Sequence, residues 1–239
     1  MPPKLYGTEH IVYIVCAIAL TVAVALSVRF VCKSEKQRAV ALKAIAGVLL
    51  VLIAANRISL AVWKKSELEL LPNSYCGMSS LLLALVVLTR KPHSKAYDFL
   101  FYVELVGGVA TVFYPNFLAQ HVSFWFMPTI TGLLHHTVGM ILCITLAQCG
   151  WFRPSLERWK MFPIGLSCYT VYGLFLLDVL GIPNTMQIDA PIISGTPLYW
   201  WFVLTVGSAA LFVFLLLWEI VGNKLKKRAP RKIERLKAP

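Results

Sequence analysis

Seven apolar runs organise the chain, separated by short stretches in which charge, proline or glycine accumulates. They extend over His10 to Cys32, Leu42 to Trp63, Leu70 to Thr89, Tyr97 to Tyr114, Phe124 to Cys149, Met161 to Ile182 and Leu198 to Val221. Each is near the roughly 20 residues that cross a bilayer as a helix. Only a helix satisfies all its backbone groups within one such segment. The pattern predicts an all-α polytopic membrane protein, with a seven-transmembrane-helix bundle over residues 1–222 and a basic tail over 223–239. The first run has no preceding cluster of positive charge and no small-residue cleavage site after it, so it is expected to stay as the first helix.

Composition supports the lipid solvent: 58% of the 239 residues are hydrophobic and 14% charged, against about 25% charged in soluble domains. A net charge of +12 would suit a nucleic-acid partner, but its placement gives another explanation. Eighteen Lys and Arg fall on one set of alternate connections, including Lys33, Arg90, Arg153 and eight in the tail, and three (Lys4, Lys64, Lys65) on the other. Basic residues gather on the cytoplasmic side. The N-terminus is therefore expected outside and the C-terminus in the cytoplasm of a multi-pass cell-membrane protein, with lipid and no nucleic acid as its surroundings. The tail KLKKRAPRKIERLK reads as a topology anchor, able also to hold anionic inner-leaflet lipid. Six cysteines show neither a CxxC pair nor metal-ligand spacing, so no metal or cofactor is called for.

Ionisable side chains inside such helices cost at least about 2.5 to 3.5 kcal/mol each on insertion scales, and each needs a partner, a wet cavity or a purpose. Arg57 follows Asn56 near the outer end of the second run; Glu104 sits in FLFYVELVGGVA near mid-bilayer; His135 and His136 lie in TGLLHHTVGM at similar depth. Asp178 falls close to the outer end of the sixth run, and Asn73 and Cys76 share a face where LLPNSYCGMSS opens the third. Glu219, beside the basic tail, reads as a solvated partner of Lys224 or Lys226. Structural accidents would scatter over both leaflets. Arg57, Asn73, Cys76, Glu104, His135 or His136, and Asp178 all fall between midplane and outer surface, which implies an outward-opening polar pocket.

The segments GTEHIVYI, LLPNSYCGMSSLLLALVVLTRK, YDFLFYVELVGGVATVFYPN, HHTVGMIL, GWFRPSLERW and GTPLYWW give the chain, from about Gly7 to Trp218, a pattern that resembles the bacterial YwaF-type integral membrane proteins. That family reads Leu-Pro-Leu-His-Leu-Cys at its third helix; Pro72 and Cys76 match, whereas Asn73, Ser74 and Tyr75 do not. Its helix-five histidine corresponds to His136. The resemblance implies a distant similarity to a eukaryotic transmembrane acyltransferase that remodels ether phospholipids through Cys and His, and to membrane lipid hydrolases using Thr and His. The acyltransferase's nucleophile would fall at Asn73, which cannot form a thioester.

Two function classes follow. One is a lipid-directed acyltransferase or hydrolase with His136 as general base, Cys76 as the candidate nucleophile, and Arg57, Asn73, Glu104, His135 and Asp178 in contact with substrate. The other is a small-solute transporter or ligand-binding receptor in which the charged residues hold the solute without catalysis. Beside these two stands a blander reading, an accessory subunit whose polar groups meet another membrane protein. Oligomeric state is left open by the sequence.

Overall fold

The computed structural model describes residues 2–193 and 195–237, with side chains up to Lys224. Its helices are α1 (Thr8–Val31), α2 (Glu35–Lys64), α3 (Tyr75–Thr89), α4 (Tyr97–Phe113), α5 (Met127–Gln148) and α6 (Met161–Leu174, running on through a π-helical turn at Phe175–Val179). The last, α7, starts at Trp200–Phe202, passes through a second π turn at Val203–Gly207 and continues as Ser208–Lys237. The protein is all-helical.

Five of these rods are long and apolar enough to cross a membrane: Thr8–Val31, Glu35–Lys64, Met127–Gln148, Leu156–Val179 and Trp200–Lys224. The expected third and fourth spans are shorter. Tyr75–Thr89 has 15 residues, about 22 Å at 1.5 Å per residue, less than the roughly 30 Å hydrocarbon thickness. The physical reason lies upstream: Glu67–Leu70 winds into a separate 3-10 turn, and Pro72 and Asn73 precede the Ser74 cap, so the apolar run does not become helix until Tyr75. Enclosure by α2 and α4 frees α3 from having to match the bilayer by itself.

Local chemistry sets the helix ends. Ser34 caps α2 by accepting from the Gln37 amide, and the Gln37 side chain returns to the Ser34 amide, a reciprocal capping box. This starts α2 seven residues before the expected Leu42. Lys65, in the left-handed region at φ 52°, ends it.

The core sits around α5, where 72% of the most apolar stretch is buried, against 17% for α1 and 11% for α7. Helices α2, α3 and α4 surround α5, while α1 packs on its free side and α6 on α4. Leu49, Leu83, Leu142 and Leu146 are fully buried between them. Ile11, Val15 and Phe30 on α1, and Val213, Leu217 and Trp218 on α7, stay exposed. Such surfaces are an aggregation liability in water and the natural face toward lipid. Glu219 turns back to accept the Leu156 backbone N–H at 3.0 Å, which ties the connection before α6 to the last helix; of its two expected partners, the side chain of Lys226 lies outside the described residues.

Candidate functional site: a polar cavity between α2, α3 and α5

A cavity of about 190 Å³ opens at the end of the bundle where α2 finishes and α3 and α5 begin. Arg57 and Asn56 form one wall, Asn73, Ser74 and Gly77 a second, and Gly132, His135 and His136 a third; Phe117 and Gln120 roof it, and the Lys64–Glu69 ion pair (2.8 Å) stands at the rim. Arg57 is seven residues inside the end of α2, about 10 Å along the axis.

Several walls are tied together by satisfied polar contacts. Asn56 Nδ2 donates to the Pro128 carbonyl (3.0 Å) and to Thr131 Oγ1 (3.1 Å), binding α2 to the first turn of α5. Gln120 Nε2 donates to Thr129 Oγ1 at 2.8 Å. Gly132 admits the Phe117 ring: a Cβ there would lie 3.0 Å from it. These residues build the cavity rather than act within it.

The groups left over are different. His135 Nδ1 lies 3.0 Å from the Thr131 carbonyl; a carbonyl can only accept, so the proton is on Nδ1 and Nε2 carries the lone pair. That Nε2 is buried without a partner. The His136 ring lies 4.0 Å away, tilted by 37°. Its Nδ1 is sealed and unpartnered, which leaves Nε2 as the nitrogen open to the cavity. Arg57 Nη1 reaches the Leu71 carbonyl and Asn73 Oδ1 only at 3.5 Å each, and its Nε meets no acceptor among the described residues. A pair of imidazoles beside a loosely held guanidinium can accept a proton, donate to an oxyanion and bind negative charge.

Over residues 5–218 the chain matches the family model of the TMEM164 family. The chain belongs to the TMEM164 family. This is a membrane family, and the protein is a membrane protein. No curated protein and no solved structure matches it.

In this TMEM164-family fold, Arg57, Asn73, His135 and His136 share the cavity. The other sequence candidates lie elsewhere. The half-buried Cys76 turns its sulfur to α4, where a Cβ at Gly107 would sit 2.5 Å from Sγ. Glu104 is fully buried, receives Ser80 Oγ at 2.7 Å, and packs on the bare Cα of Gly139, one turn beyond His135 on α5. Asp178 is exposed on the π turn that ends α6. The single-pocket expectation joins these residues because depth can be counted along a helix, whereas the direction each one faces is set by its neighbours. Ser74, Gln120 and the rim pair lie outside the sequence candidates. A Ser before an apolar run marks an N-cap, which locates Ser74 without revealing that its wall is hollow. Among the described residues, no three His, Cys, Asp or Glu gather as a metal site.

Proposed function

We propose that this protein is a membrane-embedded enzyme that hydrolyses or transfers an ester-linked acyl group of a lipid, with His136 as general base. The observation that carries the proposal is the buried imidazole pair fronting a polar cavity. The resemblance to the YwaF-type family, through the distant similarity to lipid acyltransferases and hydrolases that it implies, supports the same reading. At about 190 Å³ the cavity is smaller than the roughly 300 to 1,000 Å³ of whole-ligand pockets. It suits an ester and its polar neighbour, the acyl chain staying in the bilayer.

His136 Nε2 takes the proton of the attacking hydroxyl as that oxygen bonds to the ester carbonyl. The carbonyl electron pair shifts onto oxygen, toward the Asn73 amide and the Arg57 guanidinium. The carbon–oxygen bond to the leaving alcohol then breaks, and the alcohol takes the proton from the imidazolium. Water is the favoured acceptor, because Cys76 faces α4 and Asn73 has no thiol. Transfer to a second alcohol would follow the same path. The cavity is read as opening on the non-cytosolic face of the cell membrane.

The test is fatty-acid release from an acyl-labelled phospholipid by the purified protein, beside His136→Ala. General-base loss should lower the rate about 10²- to 10⁴-fold with the thermal unfolding midpoint retained; an unchanged rate would end the proposal. A second reading, binding or passage of a small charged solute without chemistry, is favoured by the lack of a thiol in the cavity wall. Vesicle uptake that depends on Arg57, without any ester cleavage, would select it.

A further inference from the structure

We infer that Arg57 and the first turn of α3 form a binding site for one oxyanion of the phosphate class. The inference deepens the reading of the cavity as a substrate site and rests on it: the anion would be the group that places the ester beside His136.

The Arg57 guanidinium offers five donors, and its surroundings use them poorly. Nη1 has only the two 3.5 Å contacts to Leu71 and Asn73. Nε is buried with no acceptor, and no carboxylate pairs with the side chain among the described residues. Glu69, the acid on the cavity rim, is engaged by Lys64 at 2.8 Å. A cation in this state attracts an anion more strongly than one already neutralised.

Where Arg57 lies adds the second element. Its Nη2 presses on Gly77, in the first turn of α3, so closely that a Cβ there would stand 2.7 Å from it and 3.2 Å from Ser74 Oγ. The 15-residue α3 carries its positive end at this turn. Ser74 accepts the Gly77 amide, but the Tyr75 amide meets no acceptor among the described residues. A guanidinium laid on the positive end of a helix is repelled by it. An oxyanion held between the two converts repulsion into charge-assisted hydrogen bonds from both.

The opposite wall supplies an independent sign of a missing partner. His135 is 4% exposed and lines the same cavity; its unpartnered Nε2, which carries the lone pair, can accept from the hydroxyl of a singly protonated phosphate or from a water bridging to it. In volume, about 190 Å³ falls below the roughly 300 to 1,000 Å³ of whole-ligand pockets. That holds a phosphate group with a few waters, and not a lipid.

Thermal unfolding of the full chain in maltoside micelles tests the site with three probes: inorganic phosphate, dihexanoyl phosphatidic acid and dihexanoylglycerol. Both phosphate-bearing probes raise the midpoint saturably if the anion alone suffices; only the lipid does so if the headgroup is the ligand. Dihexanoylglycerol, which lacks the phosphate, gives no shift. Arg57→Gln weakens the apparent affinity about tenfold or more, and Arg57→Lys, which keeps the charge without the fork, lies between. No shift with either phosphate probe, an equal shift with dihexanoylglycerol, or an equal response in Arg57→Gln would overturn the inference. Should Arg57→Gln not fold, the comparison of probes on the unmodified protein still decides. Ester cleavage is read separately: selective phosphate binding without cleavage removes the enzyme reading and keeps this site, and cleavage without selective binding does the reverse.

Discussion

Substituting Gly139 by Ala introduces one methyl group where Glu104 of α4 packs on α5. The new Cβ would collide with the Glu104 carboxylate, which Ser80 holds from the far side at 2.7 Å and which is fully buried. Overpacking a filled core costs about 1 to 3 kcal/mol, and at about 2 to 4 °C per kcal/mol for a chain of this size the midpoint should fall by roughly 2 to 12 °C. His135 lies one turn before Gly139 on the same helix face, so a displaced α5 also moves the imidazoles and lowers turnover. The assay is a double-mutant cycle in detergent. Gly139→Ala with Glu104→Ala should be less destabilised than the sum of the single changes, by about 0.5 kcal/mol or more. Glu104→Gln, which keeps the volume, should give no such relief. A neutral Gly139→Ala, or strict additivity with Glu104→Ala, would refute the claim that the carboxylate is wedged there.

Other consequences can be checked on the same material. Asn56→Ala removes both bonds between α2 and α5 and should cost about 1 to 3 kcal/mol at about 0.5 to 1.5 per hydrogen bond, read as a lowered unfolding midpoint. Arg158→Ala leaves the buried Asp98 without its ion-pair partner at 3.3 Å. It should destabilise by up to about 3 kcal/mol, the lower end for a buried pair because Arg158 is partly exposed, and Asp98→Ala in the same chain should restore most of the loss. Ser34→Ala breaks the capping box and should cost about 1 kcal/mol. Cys76, packed on Gly107, should resist N-ethylmaleimide until the protein is denatured, as peptide mass spectrometry would show.

Much of the fold was legible because lipid imposes a simple length rule on apolar runs. The helices expected from Tyr97 and Met161 begin at those residues. Where local polar chemistry competed with the apolar pattern, the boundaries moved: Ser34 and Gln37 extend α2 toward its N-terminus, and Pro72 with the Ser74 cap delays α3. The two π turns had no visible signal in the sequence. At the site, the cost of burying charge singled out Arg57, His135 and His136, which do line one cavity. The same cost singled out Glu104 equally, although its partners are Ser80 and the bare surface of Gly139. An expensive buried group reveals that something compensates it, without revealing whether that is a cavity or packed neighbours. Cys76 and Asn73 share a helix face by spacing, yet Asn73 precedes the first turn of α3 and the two side chains diverge.

Accessibility of Ser74 tests the polar hollow most directly. In sealed vesicles of known orientation, Ser74→Cys should react with a charged, membrane-impermeant methanethiosulfonate added on the face opposite the basic loops, with mass spectrometry locating the label at that residue. Failure to react from that face, or reaction only from the side of the basic loops, would contradict the assignment of a wet, outward-opening cavity.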